Sequence, residues 1–106
     1  VRQGALGRKR TFDRITDQFL VDKYDPPAFA LKLAHKDVTL AVTMGRELNV
    51  PMRLCNLTLE EMNEALNRGW ENLDSRVPMK LQLERAGVAI KCDPAAVQAV
   101  FDTDKA

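Results

Sequence analysis

The sequence contains few of the residue types from which enzymes build catalytic and metal sites. Its 106 residues include one histidine, two cysteines and five glycines, and the glycines do not form a phosphate-binding loop. The single histidine, His35, has no cysteine or carboxylate at ligand spacing, which predicts a surface residue and not a metal ligand. Because no nucleophile, general base and oxyanion site come together, we expect no catalytic residue and no metal site in this chain.

Cysteine content and the start of the chain indicate the compartment and the origin of the protein. Cys55 and Cys92 lack metal-ligand spacing, and one pair of cysteines supplies no disulfide framework. We therefore expect reduced thiols and a cytoplasmic location. The chain begins without methionine and its first ten residues contain no apolar signal region, so we expect a processed or excised fragment.

Neither charge nor hydrophobicity favours nucleic acid or a membrane as a partner. Sixteen Lys and Arg residues against fifteen Asp and Glu give a net charge of +1, which excludes a strong overall attraction to either. No run approaches the roughly 18 apolar residues of a membrane span. The basic segment 8–10 leaves one alternative, a free-standing helical interaction module whose basic N-terminus holds nucleic acid or an acidic partner.

The pattern of apolar residues predicts helices throughout. At 45% hydrophobic and 29% charged residues, the chain is typical of one soluble globular domain, residues 1–106. Proline and glycine separate five predicted helices: residues 11–20, about 28–48, from Pro51 to near Gly69, from Asp74 or Ser75 to Gly87, and from Asp93-Pro94 onward. Hairpin signals are absent, so we predict an all-α fold.

Lys36 interrupts the apolar face of the helix predicted over residues 28–48. That face is a stripe of the kind that packs in a core, formed by Phe29, Leu33, Leu40, Met44 and Leu48. Helix geometry places Phe29 and Lys36 within about 20° of each other. Since burying an unpaired ammonium is costly, Lys36 either reaches water past the edge of the core or lies at a cleft wall that binds a carboxylate, phosphate or cofactor hydroxyl.

Two further patterns predict how helices pack. Small residues run beside the stripe and would let another helix approach closely: Ala30, Ala34, Ala41 and Gly45. In the next helix, apolar residues repeat at spacings of three and four: Met52, Cys55, Leu59, Met62, Leu66 and Trp70. We therefore expect Trp70 to pack in the core.

Four segments also follow recognisable motifs in order. Residues 27–41, Pro-Ala-Phe-Ala-Leu-Lys-Leu-Ala-His-Lys-Asp-Val-Thr-Leu-Ala, resemble the pattern P-G-F-x-L-x-L-x-x-K-D-L-x-L-A. Residues 47–51 resemble an E-L-G-V-P junction, residues 68–75 a G-x-G-x-x-D-x-S turn, and residues 1–5 a V-x-x-G-A entry. These motifs are those of the β-hydroxyacid dehydrogenases, the 3-hydroxyisobutyrate dehydrogenase family, and the resemblance covers about residues 1–90.

The resemblance implies an all-α C-terminal domain like that of 6-phosphogluconate dehydrogenase-like enzymes, with the N-terminal Rossmann domain absent from this chain. Family members oxidise a β-hydroxyacid by hydride transfer to NAD or NADP, and their catalytic lysine lies in a motif that this chain lacks. The lysine of the family's K-D pair reaches toward the nicotinamide end of the cofactor across the interdomain cleft. Lys36 matches that lysine and Phe29 an aromatic lining the same cleft, so the resemblance makes both cofactor-binding residues.

The expected function is that of a domain that closes the active-site cleft and supports oligomerisation, and that is inactive alone. Its expected partners are the Rossmann domain of the same parent protein, a second copy and a small hydroxyacid substrate. Three positions depart from the family pattern: Asn49 and Glu71 replace glycines, which suggests altered turns, and Thr43 replaces a common acidic residue. The alternatives are the interaction module described above and a dimerising domain retained after loss of the catalytic half.

Overall fold

The computed structural model describes residues 14–104, and this part of the chain is helical. It contains a π-helical turn, Ile15–Phe19, and four α-helices: α1 (Leu31–Glu47), α2 (Arg53–Asn67), α3 (Met79–Ala86) and α4 (Pro94–Asp104). Within the described residues no strand forms, and an isolated antiparallel bridge joins Ala30 to Asp74. The prediction of an all-α fold is confirmed.

The chain divides into two compact units. One unit, Tyr24–Gln82, contains α1, α2 and the start of α3, and the other combines the two ends of the chain, Val1–Lys23 and Leu83–Ala106. The boundaries of a single domain over residues 1–106 stay a prediction. The motif predicted at residues 1–5 and the basic segment 8–10 lie outside the described residues. Across residues 14–104, each helix is too short or too polar to cross a membrane.

The core of the Tyr24–Gln82 unit is formed by α1, α2, α3 and the segments between them. Its buried side chains are Tyr24, Leu31, Met62, Ala65, Val77 and Leu81. Leu66, Trp70 and Leu73 pack against this cluster and are partly buried. The predicted core role of Trp70 is confirmed, as is that of the C-terminal half of the α2 stripe.

α1 begins later than its sequence predicts. The spacing predicts a helix from about residue 28, whereas the observed helix starts at Leu31, and Ala30 before it is extended, with φ −65° and ψ 143°. The carboxylate of Asp74 accepts hydrogen bonds from the main-chain N–H groups of residues 28 and 29 in this segment. The segment before α1 is therefore bonded to a residue far away in the sequence.

The predicted apolar stripe of α1 lies on its exposed face. Leu33 is 42% exposed and Leu40 and Met44 are each 60% exposed, whereas the buried residues of α1 are Leu31, Val42 and Gly45. Because each residue turns a helix by about 100°, Leu40 lies about 180° from the buried Leu31. The expectation that the stripe packs in a core is wrong for this unit, since the opposite face contacts α2 and the following turn.

Gly45 allows the chain to pass closely over the C-terminal end of α1. A Cβ at this position would lie 2.9 Å from Cγ of Met52 and 3.2 Å from the carbonyl oxygen of Val50, and it would also meet Sδ of Met52. Asn49, in the turn between them, has a φ of 55°, a left-handed conformation that asparagine tolerates better than most residues. The predicted small-residue row thus serves close packing within the chain at Gly45.

The remaining helix boundaries follow the sequence closely. α2 ends before Gly69, with φ 80°, and α3 ends before Gly87, with φ 70°. α4 is capped by Asp93, whose Oδ1 accepts a hydrogen bond of 3.0 Å from the main-chain N–H of Ala95. Only part of the helix predicted over residues 11–20 is described, and that part is the π-helical turn Ile15–Phe19.

Candidate functional site

Lys36 lies on the exposed face of α1, three residues after Leu33 and four before Leu40. The lysine is exposed, and both leucines beside it are exposed as well. Among residues 14–104, none of the ion pairs involves Lys36. Because its ammonium is not buried in this chain, no desolvation cost arises, and the charge stands beside apolar side chains that are themselves open to water.

The other cations of this unit that lie near an aromatic ring already have partners. Cζ of Arg68 and Nζ of Lys80 are each 5.6 Å from the centre of the Trp70 ring, a distance suited to cation–π attraction. Arg68 also forms an ion pair of 3.4 Å with Glu64. Lys36 differs from these cations, because it lies between two exposed leucines, Leu33 and Leu40, and not over an aromatic ring.

Phe29 lies just before α1, and the residue is 43% exposed. Its main-chain N–H donates to Oδ2 of Asp74 at 3.4 Å, and its carbonyl oxygen accepts from the N–H of Ser75 at 2.8 Å. Since the helix begins at Leu31, the 20° relation predicted between Phe29 and Lys36 does not apply. The place of Phe29 is instead set by these two bonds to the turn that precedes α3.

Asp74 is fully buried and organises that turn. Its Oδ2 accepts hydrogen bonds from the main-chain N–H of Ala28 at 2.9 Å and of Phe29 at 3.4 Å. Its Oδ1 accepts from the main-chain N–H of Arg76 at 3.0 Å and pairs with Nη1 of the same residue at 3.4 Å. A buried carboxylate needs such partners, because leaving it unpaired costs several kcal/mol. The sequence predicts only that a helix begins at Asp74 or Ser75, and no signal in it indicates the bonds to residues 28 and 29.

The N-terminus of α1 is occupied by main-chain carbonyls. The N–H of Leu31 donates to the carbonyl of Leu73 at 2.8 Å, and that of Lys32 donates to the carbonyl of Glu71 at 3.0 Å. These are two of the N–H groups that a helix start usually offers to a cap or an anion. α1 therefore does not bind a phosphate group at its N-terminus, and an anion contacting this helix must be held by side chains.

His35 joins α1 to α2. Its Nε2 lies 2.7 Å from Oδ1 of Asn63 in an exposed hydrogen bond, and the side chain is partly buried at the edge of the contact between the two helices. Within residues 14–104, no group of three or more His, Cys, Asp and Glu side chains is arranged to hold a metal ion. Cys55 and Cys92 are both free thiols.

The comparisons with known proteins match most of the chain to a family. Residues 1–81 match the family model described as NAD-binding of NADP-dependent 3-hydroxyisobutyrate dehydrogenase. The match ends at residue 81, next to Gln82, where the compact unit with the exposed α1 face also ends. A search of curated proteins gives no match. The chain therefore belongs to the helical C-terminal domain family of the NADP-dependent 3-hydroxyisobutyrate dehydrogenases.

Proposed function

We propose that the exposed face of α1 contacts the nicotinamide cofactor and closes the active-site cleft of an NAD(P)-dependent β-hydroxyacid dehydrogenase. The observation that carries this proposal is the position of an exposed cation, Lys36, between exposed leucines on both sides along the same helix. A solvated helix face is normally polar, and a contiguous apolar surface favours a ligand or partner. The family to which the chain belongs is one of NAD(P)-associated dehydrogenases.

The residues on this face suit a nicotinamide nucleotide in charge and in aromatic character. Lys36 carries three donor hydrogens for phosphate, hydroxyl or carboxamide oxygens. Phe29, which is partly exposed, offers an apolar wall for a planar group. A bound cofactor supplies the hydride acceptor for oxidation of a β-hydroxyacid. The role of this chain is to position the cofactor and to neutralise part of its negative charge. We expect the chain alone to oxidise no substrate.

We further propose that the Rossmann domain of the same parent protein and a second copy of the chain are its partners. Large apolar side chains remain exposed at the α1–α2 junction, with Leu48 66%, Val50 52% and Leu54 79% exposed. Surfaces of this kind are usually covered in the assembled protein. The cytoplasm remains the predicted compartment.

The test is a titration of the isotopically labelled chain with NADPH, NADH and nicotinamide mononucleotide, followed by amide chemical shifts. We expect weak binding that shifts residues 29–40. Lys36→Met should weaken it about tenfold or more, as expected for loss of a charge-assisted hydrogen bond. Arg46→Met, at the other end of the same helix and about 80° around it from Lys36, is the matched control and should leave the affinity unchanged.

Three results would contradict the proposal. Equal losses of affinity in the Lys36 and Arg46 variants would show a non-specific attraction to positive charge. Shifts confined to residues away from α1 would place the cofactor elsewhere. Steady reduction of NADP by the 106-residue chain with a β-hydroxyacid would refute the expectation that this chain alone is inactive.

A further inference from the structure

We propose that Asp74 is a positioning residue for the cofactor-contacting face, which it reaches only through the main chain of residues 28–30. The inference rests on the proposed function of Phe29 and Lys36. Asp74 is fully buried, so it does not touch a cofactor itself. Its carboxylate instead fixes the position of Phe29 and the residue at which α1 begins.

The bonds of Asp74 hold the segment before α1 at several points. The carboxylate accepts from the N–H groups of Ala28 and Phe29, and the Asp74 main chain forms an antiparallel bridge with Ala30. The residue after it, Ser75, donates its N–H to the carbonyl of Phe29 at 2.8 Å. The main chain of Phe29 is thus bound on both sides, which leaves its ring only side-chain rotation.

The local sequence favours a different structure for the same residues. Ala28, Phe29 and Ala30 continue the helical pattern of α1, and Pro27 is suited to a first helical turn. A helix that starts at residue 28 also needs the N–H of Lys32 and the carbonyl of Phe29, which now bond to the main chain of Glu71 and Ser75. The inference therefore requires that these two bonds give way once the Asp74 carboxylate is removed, so that the helix extends to residue 28. Phe29 would then take up a helical position, and each residue added turns its side chain by about 100° around the axis. Asp74 opposes this extension and keeps Phe29 in its observed place.

A variant at Arg76 serves as a control, because it should lower stability without moving Phe29. Its guanidinium pairs with Oδ1 of Asp74, whereas Ala28 and Phe29 bind Oδ2. Replacing Arg76 removes the countercharge of a buried carboxylate and lowers stability, yet it leaves both bonds to residues 28 and 29 in place. A loss of stability and a change in the position of Phe29 can therefore be separated by comparing variants at the two residues.

The experiment compares wild type, Asp74→Ala, Asp74→Asn and Arg76→Gln by NMR and thermal unfolding. For Asp74→Ala we expect faster amide exchange at Ala28 and Phe29, helical Cα shifts at residues 28–30, and nicotinamide mononucleotide binding at least fivefold weaker. Asp74→Asn, which keeps an acceptor oxygen, should lie between Asp74→Ala and wild type. Arg76→Gln should lower the melting temperature but retain wild-type shifts at residues 28–30 and wild-type affinity.

The outcomes separate this inference from the proposed function. A folded Asp74→Ala that binds like wild type overturns the positioning role while the proposed function stands. If the wild-type chain binds no nicotinamide compound, the proposed function fails, and the shifts at residues 28–30 alone decide whether Asp74 positions Phe29. Unchanged shifts there overturn the inference in every case. If Asp74→Ala does not fold, the same measurements on Asp74→Asn decide it.

Discussion

The two faces of α1 are both apolar, yet only one of them builds the core of the Tyr24–Gln82 unit. The buried face presents Leu31, Val42 and Gly45, with Ala34 and Val38 partly buried beside them. The opposite face presents larger side chains, Leu33, Leu40 and Met44, around the exposed Lys36. Size thus distinguishes the faces, because small residues let α2 and the connecting chain pack closely. The larger side chains remain exposed on the opposite face.

The difference shows why an apolar stripe is a poor guide to the core when a domain has two surfaces to cover. Hydrophobic periodicity indicates that a helix face is removed from water. It does not indicate whether the same chain or a partner covers that face. Here the stripe with the larger side chains is the exposed one, and Lys36 lies within it. The cation that looks misplaced in a core is well placed on the surface that we propose contacts a charged cofactor.

The largest difference in stability between the two faces should come from replacing one leucine on each face with alanine. Leu31 is fully buried and Leu40 is 60% exposed. Leu31→Ala should lower the free energy of unfolding by about 2–5 kcal/mol, whereas Leu40→Ala should change it by about 0.5 kcal/mol or less. Urea unfolding followed by fluorescence of the single tryptophan, Trp70, measures both. Equal losses would mean that the face bearing Leu40 is covered within the free chain.

A smaller change in the free energy of unfolding is expected for a substitution at Gly45, where the chain after α1 packs against the helix. Gly45→Ala places a Cβ against Met52 and should destabilise by about 1–3 kcal/mol through overpacking, offset by about 1 kcal/mol of helix propensity. Thr43→Ala, on the exposed part of the same helix, is the control and should not destabilise. Chemical denaturation compares the two. Combining Gly45→Ala with Met52→Ala should recover part of the loss, and strict additivity of the two changes would contradict the contact.

The smallest effect is expected at the edge of the buried face, where His35 contacts Asn63. Their hydrogen bond of 2.7 Å is exposed, so its coupling in a double-mutant cycle should be about 0.5–1 kcal/mol. The cycle uses His35→Ala, Asn63→Ala and the double variant. Lys36→Met, the next residue on α1, should leave stability nearly unchanged. No coupling between His35 and Asn63 would show that the edge of the α1–α2 contact is not formed in solution.

Local signals in the sequence predict much of the fold. Gly69 and Gly87 end helices and take positive φ, and Asp93 with Pro94 opens α4, because each of these effects acts within a few residues. The family motif likewise directs attention to Lys36 and Phe29. What the sequence does not predict is non-local. The hydrogen bond from Ala28 to Asp74 spans 46 positions, and no periodicity indicates it.

The same separation has a consequence for how the unit folds. The residues that bond to the start of α1 lie beyond both α1 and α2 in the sequence. Bringing them to Leu31 closes a long loop, which carries an entropic cost. A piece of chain covering residues 28–70 contains both helices but none of the bonds made by residues 71–75. In such a piece we expect α1 to follow its own propensity and to start near residue 28. We therefore expect the start of α1 to be fixed late in folding, when the turn at Asp74 docks.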